Sequence, residues 1–413
     1  MPAESPHPRN PRQNSAATAD TLLNVRQEIN MPPRLYCLDV ARGLAAFSVV
    51  LWHWQHFFYS GPGTLSAEFQ RESQPLYDVL APFYNHGGGD AVSFFFMLSG
   101  FVLFWLYGEK IKNGSCSLKS FWLARFSRLY PLHFLTLILV LVLQLVYMGG
   151  HHAYFVYPYN DSFHFGLNLI LGSHWGFEQG YSFNAPIWSV SVEIGLYAAF
   201  FLAVVTGRSS WRYLLAYIII LVLTRRFGFV ISRWHGPLET FFLGGLTFYG
   251  LQFYLRHALR SRFTDLILIT VPIVTWVLIA IGDSVSAIVL TRYSLLIRVV
   301  FPATIVGLVL LELVVKAPFS RMKWIGDCTY SSYLLHFPLQ LLFALVAPLV
   351  FSDTQKAFYS TSILLLFFLV LIPLSLITFH FFEVPLQKYI RGVGKKFLKV
   401  EQVGAGNGDK RRA

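Results

Sequence analysis

The sequence predicts an all-α, polytopic membrane protein with about ten transmembrane helices and both termini in the cytoplasm. The chain is 55% hydrophobic and only 13% charged, with a mean hydropathy of +0.52. Soluble domains carry about 25% charged residues, so this chain has too few for a water-facing surface. Its apolar residues form runs near the roughly 20 residues that cross a hydrocarbon core. Its basic residues gather in alternate connections between these runs, as cytoplasmic loops do.

Ten apolar runs can be assigned along the chain. They cover residues 38–58, 91–107, 129–148, 187–206, 213–224, 238–255, 266–281, 295–315, 330–350 and 358–382. The fifth run is short and continues into Arg225 and Arg226, so counts of nine or eleven stay open. Residues 1–33 are predicted to be a disordered polar tail, residues 34–392 the membrane domain, and residues 393–413 a basic cytoplasmic tail.

The distribution of Lys and Arg indicates the orientation. With a cytoplasmic N-terminus, 25 of them lie on the inner side and 7 on the outer side. The connection at residues 149–186 has none, as an outer loop should. The group at Arg225, Arg226 and Arg233 is the exception. Because the basic residues follow the loops, the net charge of +12 does not indicate a nucleic-acid partner; the expected partner is the lipid bilayer.

The first run contains three ionisable residues, which are costly inside a membrane and therefore candidates for function. Arg42 and His53 are eleven residues apart, so a helix projects both from nearly the same face, about 16 Å apart along its axis. Asp39 lies one turn before Arg42 and can pair with it. The structural alternative is an arginine at the membrane edge and a histidine bonded to a neighbouring helix.

The third run opens with the segment FWLARFSRLYP. Its Arg125 and Arg128 share one helical face at the cytoplasmic end. Two guanidinium groups suit a phosphate-bearing ligand, since each binds phosphate oxygens in a forked geometry. Ordinary anchoring by basic residues on the inner side explains the pair equally well.

The fourth run opens with NAPIWSVSVEIGLY, in which Ser189 and Glu193 lie on one helical face. A carboxylate inside an apolar run is a candidate site residue; alternatively, it pairs with an arginine of a neighbouring helix, for which Arg225 or Arg226 is available. Asn184 precedes this run at the outer surface. His336 in the ninth run is a further, supporting candidate. The cysteines show no metal-ligand spacing, so no metal site is expected.

Six segments together resemble the acyltransferase 3 family of membrane acyltransferases, which includes O-antigen, Nod-factor and macrolide acyltransferases. They are RLYCLDVARGLAAFSVVLWHW, VSFFFMLSGFVLFW, FWLARFSRLYP, APIWSVSVEIGLY, WIGDCTYSSYLLHFPL and FFEVPL. The resemblance extends over residues 35–390. Small departures in VARGLA and EIGLY remove no chemical group that the site needs.

The resemblance implies an acyl-CoA donor on the cytoplasmic side, with acetyl-CoA the first candidate, and a hydroxyl of a carbohydrate or glycoconjugate as acceptor, often at the outer face. No permanently bound cofactor is expected, and the implied location is a bacterial inner membrane. The family's paired-arginine motif, its arginine–histidine motif and its serine–glutamate motif map onto the residues named above. Donor binding then falls to Arg42, Arg125 and Arg128, and catalysis to His53 and Glu193.

The chemistry of His53 fits a general base that takes the proton of the acceptor hydroxyl, because histidine alone among these residues has an ordinary pKa near working pH. A nucleophilic role through an acyl-imidazole stays open. A competing function is a proton-coupled secondary transporter, which also places Arg, His and Glu inside helices. It predicts flux along a proton gradient and no binding of acyl-CoA.

Overall fold

The protein is almost entirely helical in its computed structural model, which describes residues 32, 34–229, 232–257, 260–282 and 289–409. Most of the predicted N-terminal tail lies outside the described residues. The one sheet of the described chain is an antiparallel hairpin of β1 (Tyr59–Gly61) and β2 (Thr64–Leu65). A 3-10 helix, His53–Phe58, joins the first helix to this hairpin.

The α-helices are numbered in chain order. They are α1 (Tyr36–Trp52), α2 (Tyr77–Lys112), α3 (Leu118–His151), α4 (Ser162–Leu169), α5 (Trp188–Val205), α6 (Trp211–Arg226), α7 (His235–Arg256), α8 (Arg262–Gly282), α9 (Val289–Leu295), α10 (Phe301–Val315), α11 (Lys323–Asp327), α12 (Thr329–Val350), α13 (Thr354–Phe358), α14 (Thr361–Thr378) and α15 (Val384–Asp409).

Each predicted apolar run coincides with a helix, and within the described residues seven helical stretches are long and apolar enough to cross a membrane. They are Tyr77–Lys112, Leu118–His151, Ala185–Val205, Arg262–Ala280, Arg292–Val315, Thr329–Val350 and Thr361–Phe397. The other three runs correspond to α1, α6 and α7. Since α1 has 17 residues and α6 has 16, both are short for a span. The membrane-protein class is therefore confirmed, whereas the count of ten stays a prediction.

Helices α2 and α7 approach each other closely through glycines, which small residues at a helix contact allow. A Cβ atom at Gly100 would lie 1.9 Å from the carbonyl oxygen of Phe241. One at Gly244 would lie 2.0 Å from the carbonyl oxygen of Met97. Backbone thus meets backbone at both positions, and no larger residue fits without moving the helices apart.

In the part of the chain that the structure describes, two π-helical turns interrupt the later helices. Leu296–Val300 joins α9 to α10, and Phe379–Glu383 joins α14 to α15. Each turn carries one charged residue that reaches a neighbouring helix: Arg298 bonds to Glu239 of α7, and Glu383 accepts a hydrogen bond from Ser331 of α12. Helix α15 follows the second turn directly and runs through residue 392, where the sequence suggests that the membrane domain ends.

The predicted outer loop between α3 and α5 is folded against the helices. Gln144 of α3 bonds both backbone groups of Phe155, with its Nε2 donating to the carbonyl at 3.0 Å and its Oε1 accepting from the amide at 2.9 Å. His133 Nε2 lies 2.7 Å from the carbonyl oxygen of Asn168. These buried polar contacts hold the loop against α3, and its Phe155 and Tyr157 pack on Phe337 of α12.

Candidate active site

A cavity of about 120 Å³ lies between α1, α2, α3, α5 and α12. Its lining residues are Arg42, Phe95, Phe96, Leu98, Ser99, Val102, Leu103, Arg125, Arg128, Leu129, Ser189, Val190, Glu193, Tyr197, Thr329, Tyr330 and Tyr333. The structure thus brings together five of the residues that the sequence singles out, from three separate helices. Ordinary helix packing leaves few voids of this size, and this one combines cations, a carboxylate and hydroxyls.

Arg42 reaches the cavity from α1 and forms the predicted pair with Asp39, at 3.3 Å between Nη1 and Oδ1. Asp39 is shared, because Arg34 Nε lies 2.6 Å from its other oxygen. A second bond joins Arg34 to Asp327 at the end of α11, at 2.7 Å. This network fixes the N-terminal end of α1 against α11 and orients Arg42 toward the cavity.

Arg125 and Arg128 approach the cavity from α3. Arg125 is only 8% exposed, and its Nη2 donates to the hydroxyl of Tyr107 at 2.8 Å. Its guanidinium carbon lies 4.9 Å from the ring centre of Tyr107 and 5.7 Å from that of Tyr197, both within cation–π range. Within the described chain, neither arginine has a carboxylate within 4.0 Å. Two guanidinium groups without a counter-ion in an apolar setting are costly unless an anionic ligand binds them.

Glu193 and Ser189 lie on the cavity-facing side of α5. Ser99 of α2 donates a hydrogen bond to Glu193 Oε1. Ser189 Oγ lies 2.8 Å from the hydroxyl of Tyr333, which itself donates to the carbonyl of Pro186 at 2.7 Å. Glu193 therefore bonds to a hydroxyl rather than to an arginine of a neighbouring helix.

Of the two arginines that the sequence offers as partners of Glu193, Arg225 pairs elsewhere and Arg226 is exposed. Arg225 lies 3.6 Å from Glu239 of α7, and Arg298 contacts the same carboxylate at 2.7 Å. Glu239 is fully buried. The ion pair with an arginine of another helix, which the sequence suggested for Glu193, is thus formed by Glu239.

His53 is not among the residues that line the cavity. Helix α1 ends at Trp52, and the His53 ring stacks on His336 of α12, with ring centres 5.0 Å apart and planes at 18°. His53 Nδ1 lies 3.1 Å from His336 Nε2. Tyr333, which does line the cavity, has its ring centre 6.0 Å from that of His336. The side-chain hydrogen-bond partner of the His53 ring is therefore another histidine, not the carboxylate of Glu193, and Tyr333 contacts both the cavity and His336.

Three residues that the sequence analysis missed extend the histidine pair toward the outer loop. His56 Nδ1 lies 2.9 Å from Gln340 Oε1, and Gln340 Nε2 donates to the carbonyl of His53 at 2.9 Å. His56 Nε2 lies 3.2 Å from the hydroxyl of Tyr157, in the predicted outer loop. The segment HWQHFF shows His56 one short turn after His53, but only the packing of α12 and the loop reveals its partners.

Asn184, which the sequence places at the outer surface of the membrane, is fully buried within the protein. Its Nδ2 donates to the carbonyl of Leu334 at 2.9 Å, so it ties the start of α5 to α12 two residues before His336. His336 is also fully buried, and its Nδ1 has no hydrogen-bond partner among the described residues. In the part of the chain that the structure describes, no cluster of three or more His, Cys, Asp and Glu residues could bind a metal ion.

Comparison with known proteins gives one family and two relatives. Residues 35–385 match the profile of the acyltransferase 3 family, described as an acyltransferase domain. The chain is 35% identical to Acyltransferase MdmB of Streptomyces mycarofaciens over 182 residues. This aligned stretch covers 41% of this chain and 40% of that protein. It is 36% identical over 109 residues to Protein 2 in picA locus of Rhizobium radiobacter, covering 26% and 45%. The matched parts span less than half of either relative, and no solved structure matches the chain.

Proposed function

This chain belongs to the acyltransferase 3 family and is a membrane acyltransferase, and from this premise we propose that it transfers an acyl group, acetyl in the simplest case, from cytoplasmic acyl-CoA to a hydroxyl of a carbohydrate or glycoconjugate at the outer face. The observation that carries the proposal is the cavity that Arg125 and Arg128 line together with Glu193 and Ser189, although no carboxylate of the described chain lies within 4.0 Å of either arginine. The family is one of acyltransferases, not of proton-coupled transporters.

The arginines suit the phosphate groups of CoA. A guanidinium donates two parallel hydrogen bonds to a phosphate, and such charge-assisted bonds are about twice as strong as neutral ones. Burial strengthens the attraction, because the effective dielectric constant around Arg125 is lower than in water. Bound phosphate would also supply the counter-charge that Arg125 and Arg128 lack in the described chain.

The histidine pair suits proton transfer. For His53 to accept a proton at Nε2, its Nδ1 must carry the hydrogen and donate it to His336 Nε2, 3.1 Å away. His336 then fixes the tautomer of His53, as a carboxylate does in hydrolase triads, and stabilises the imidazolium that forms. In this arrangement His53 is the catalytic residue and His336 is a positioning residue.

The reaction follows from these roles. The acceptor hydroxyl oxygen attacks the thioester carbonyl carbon while His53 Nε2 takes the hydroxyl proton. The carbon–sulfur bond then breaks, and the CoA thiolate leaves and receives that proton. Glu193 and Ser189 line the cavity on the donor side, where they orient the thioester. In the alternative route, His53 itself attacks the thioester and an acyl-imidazole carries the group to the acceptor.

The contacts of His56 support an acceptor that approaches from the outer face. His56 bonds to Tyr157 in the segment that lacks Lys and Arg, so the histidines lie between the donor cavity and the predicted outer loop. A donor on one side and an acceptor on the other would then meet at His53.

The test uses the full chain in lipid nanodiscs, with labelled acetyl-CoA and a panel of sugar acceptors. We expect release of CoA that depends on both the acceptor and the enzyme. His53→Ala should lower turnover by about 10²–10⁴-fold, the usual contribution of a general base, with acetyl-CoA affinity retained. His257→Ala is the matched control, because that exposed histidine ends α7 away from the cavity.

Turnover of His53→Ala within tenfold of the parent would contradict the assignment of His53. Labelled acetyl found on His53 in the absence of acceptor would favour the acyl-imidazole route. If the parent neither binds acetyl-CoA nor releases CoA with any acceptor, the proposed donor is wrong.

A further inference from the structure

Helix α15 packs along α3 next to the paired arginines. A Cβ atom at Gly394 would lie 2.4 Å from Cδ2 of Leu123, so the two helices approach closely there. Arg391, one turn earlier, donates from Nε to Ser127 Oγ at 3.1 Å and from Nη2 to the carbonyl of Ala124 at 3.1 Å. Arg391 thus bonds to α3 at two positions, whereas the sequence analysis counted it only as one of the basic residues on the inner side.

These two positions lie directly before the donor arginines in sequence. Ala124 precedes Arg125 and Ser127 precedes Arg128, so Arg391 sits at the level of the pair and about 100° around the axis of α3. Three guanidinium groups consequently surround one stretch of about one helical turn. No carboxylate of the described chain lies within 4.0 Å of Arg391.

Arg391 retains hydrogen-bonding capacity. A guanidinium has five N–H donors, and the contacts with α3 use two of them. Those contacts also fix its orientation, which lowers the entropy cost of binding a ligand. Lys388 and Lys395, one turn before and one turn after on the same helical face, are exposed. The array is therefore anchored at its centre and accessible to solvent at its ends.

We propose that Arg391 binds the 3′-phosphate of the nucleotide part of the donor, with Lys388 and Lys395 adding charge beside it. This inference rests on the proposed function, since it takes acyl-CoA as the donor. Besides its diphosphate, CoA carries a separate phosphate on its ribose, so a cavity with Arg125 and Arg128 leaves one phosphate to be bound nearby. Helix α15 is then part of the donor site and makes it selective for CoA over analogues without that phosphate.

The competing source of phosphate is an anionic lipid headgroup, because a basic helix at the membrane edge also attracts lipid. The CoA phosphate and the lipid headgroup can be distinguished by the lipid composition of the binding assay. Selectivity for the 3′-phosphate appears in nanodiscs of neutral phosphatidylcholine, whereas lipid binding requires an anionic lipid such as phosphatidylglycerol.

The experiment compares acetyl-CoA with dephospho-acetyl-CoA, which lacks the 3′-phosphate, on the full chain in phosphatidylcholine nanodiscs. We expect the parent to bind acetyl-CoA more tightly. Arg391→Gln should weaken acetyl-CoA binding about tenfold, or about 1.4 kcal/mol, and leave dephospho-acetyl-CoA binding unchanged. Arg391→Lys should recover part of the difference. Lys396→Gln is the matched control: it removes a charge from the other side of the same helix and should change neither affinity.

An equal loss for both donors in Arg391→Gln would overturn the inference, because it would show that Arg391 only anchors α15. An effect seen solely with phosphatidylglycerol present would assign the arginine to lipid and also overturn it. A parent that binds acetyl-CoA and dephospho-acetyl-CoA equally would remove the inference but leave the proposed function intact. A parent that binds neither would instead contradict the proposed function.

Discussion

The arginines of the cavity between α1, α2, α3, α5 and α12 and those of the predicted outer side differ in their partners. Arg125 and Arg128 contact tyrosines or line the cavity, without a carboxylate in ion-pair range in the described chain. On the outer side, Arg225 and Arg298 share Glu239, and Arg292 donates two hydrogen bonds to Asp90, at 2.7 and 3.2 Å. Arg233 in turn pairs with Glu178.

This difference applies to two of the three arginines that depart from the charge distribution. Arg225 and Arg233 pair with carboxylates, whereas Arg226 is exposed and has no carboxylate of the described chain within 4.0 Å. The paired arginines of the predicted outer side join neighbouring segments of the fold. The inner pair is uncompensated, which lowers stability and favours an anionic ligand. We therefore expect mutations in the two groups to affect different quantities.

The largest effect should come from Arg298→Ala. The substitution leaves the fully buried Glu239 with only the more distant Arg225, and breaking a buried pair in this way costs about 3–5 kcal/mol. Denaturant unfolding in nanodiscs measures the loss, and acetyl-CoA affinity of the protein that remains folded should not change. Arg226→Ala, an exposed charge on the same helical turn as Arg225, should stay within about 0.5 kcal/mol of the parent. If Arg298→Ala and Arg226→Ala lowered the free energy of unfolding equally, the ion pair with Glu239 would not be what stabilises the protein.

Arg125→Ala should show the opposite pattern. Donor affinity should fall by about 1–3 kcal/mol, the value of a charge-assisted contact, whereas the free energy of unfolding should not fall, because an uncompensated buried charge is removed. Arg128→Ala should behave alike, and Lys at either position should recover only part of the affinity. Calorimetric titration with acetyl-CoA and an unfolding curve give both quantities. Arg212→Ala removes an exposed basic residue near the start of α6 and is the control. Unchanged donor affinity in a folded Arg125→Ala protein would make the pair a topology anchor only.

A smaller effect concerns pH and the outer loop. Burial, followed by the nearby charge of Arg233, lowers the pKa of His174 to about 4. Its ordinary pKa is 6.5, so the unfolded chain binds more protons than the folded one between these values. The stability contribution of a neutral His174 is therefore complete above pH 6.5 and is lost as the pH falls toward 4. His174→Gln should flatten the stability profile over this window, and an unchanged slope would exclude His174 as the cause.

The smallest perturbation is a labelling experiment that tests the orientation itself. Cys116 lies between α2 and α3 and is partly exposed, while Cys37 and Cys328 are buried. An impermeant thiol reagent should leave Cys116 unlabelled in intact cells and label it after permeabilisation. The two buried cysteines should resist the reagent in both conditions. Ready labelling of Cys116 from outside would reverse the assignment of inner and outer arginines.

The sequence predicts contacts within a helix but not the contacts between helices. The helical period fixes which residues share a face, so the pair of Asp39 with Arg42 and the common side of Ser189 and Glu193 could be predicted. The partners of Glu193 and His53 could not, because they depend on how helices rotate and pack against one another. A single sequence carries no signal for such pairings, and Glu239 was overlooked although it pairs with the arginine proposed for Glu193.

The π-helical turn at Phe379–Glu383 has a consequence for insertions and deletions in this chain. Such a turn accommodates one residue more than a regular α-helix. Losing that residue would let α14 and α15 join as one regular α-helix whose later residues keep their orientation. Arg391 would then still face Ala124 and Ser127, whereas a one-residue deletion in α15 before Arg391 would turn its side chain about 100° away from them. The C-terminal helix should therefore tolerate a one-residue deletion at the π-helical turn, while the same deletion between the turn and Arg391 should act like a substitution of Arg391.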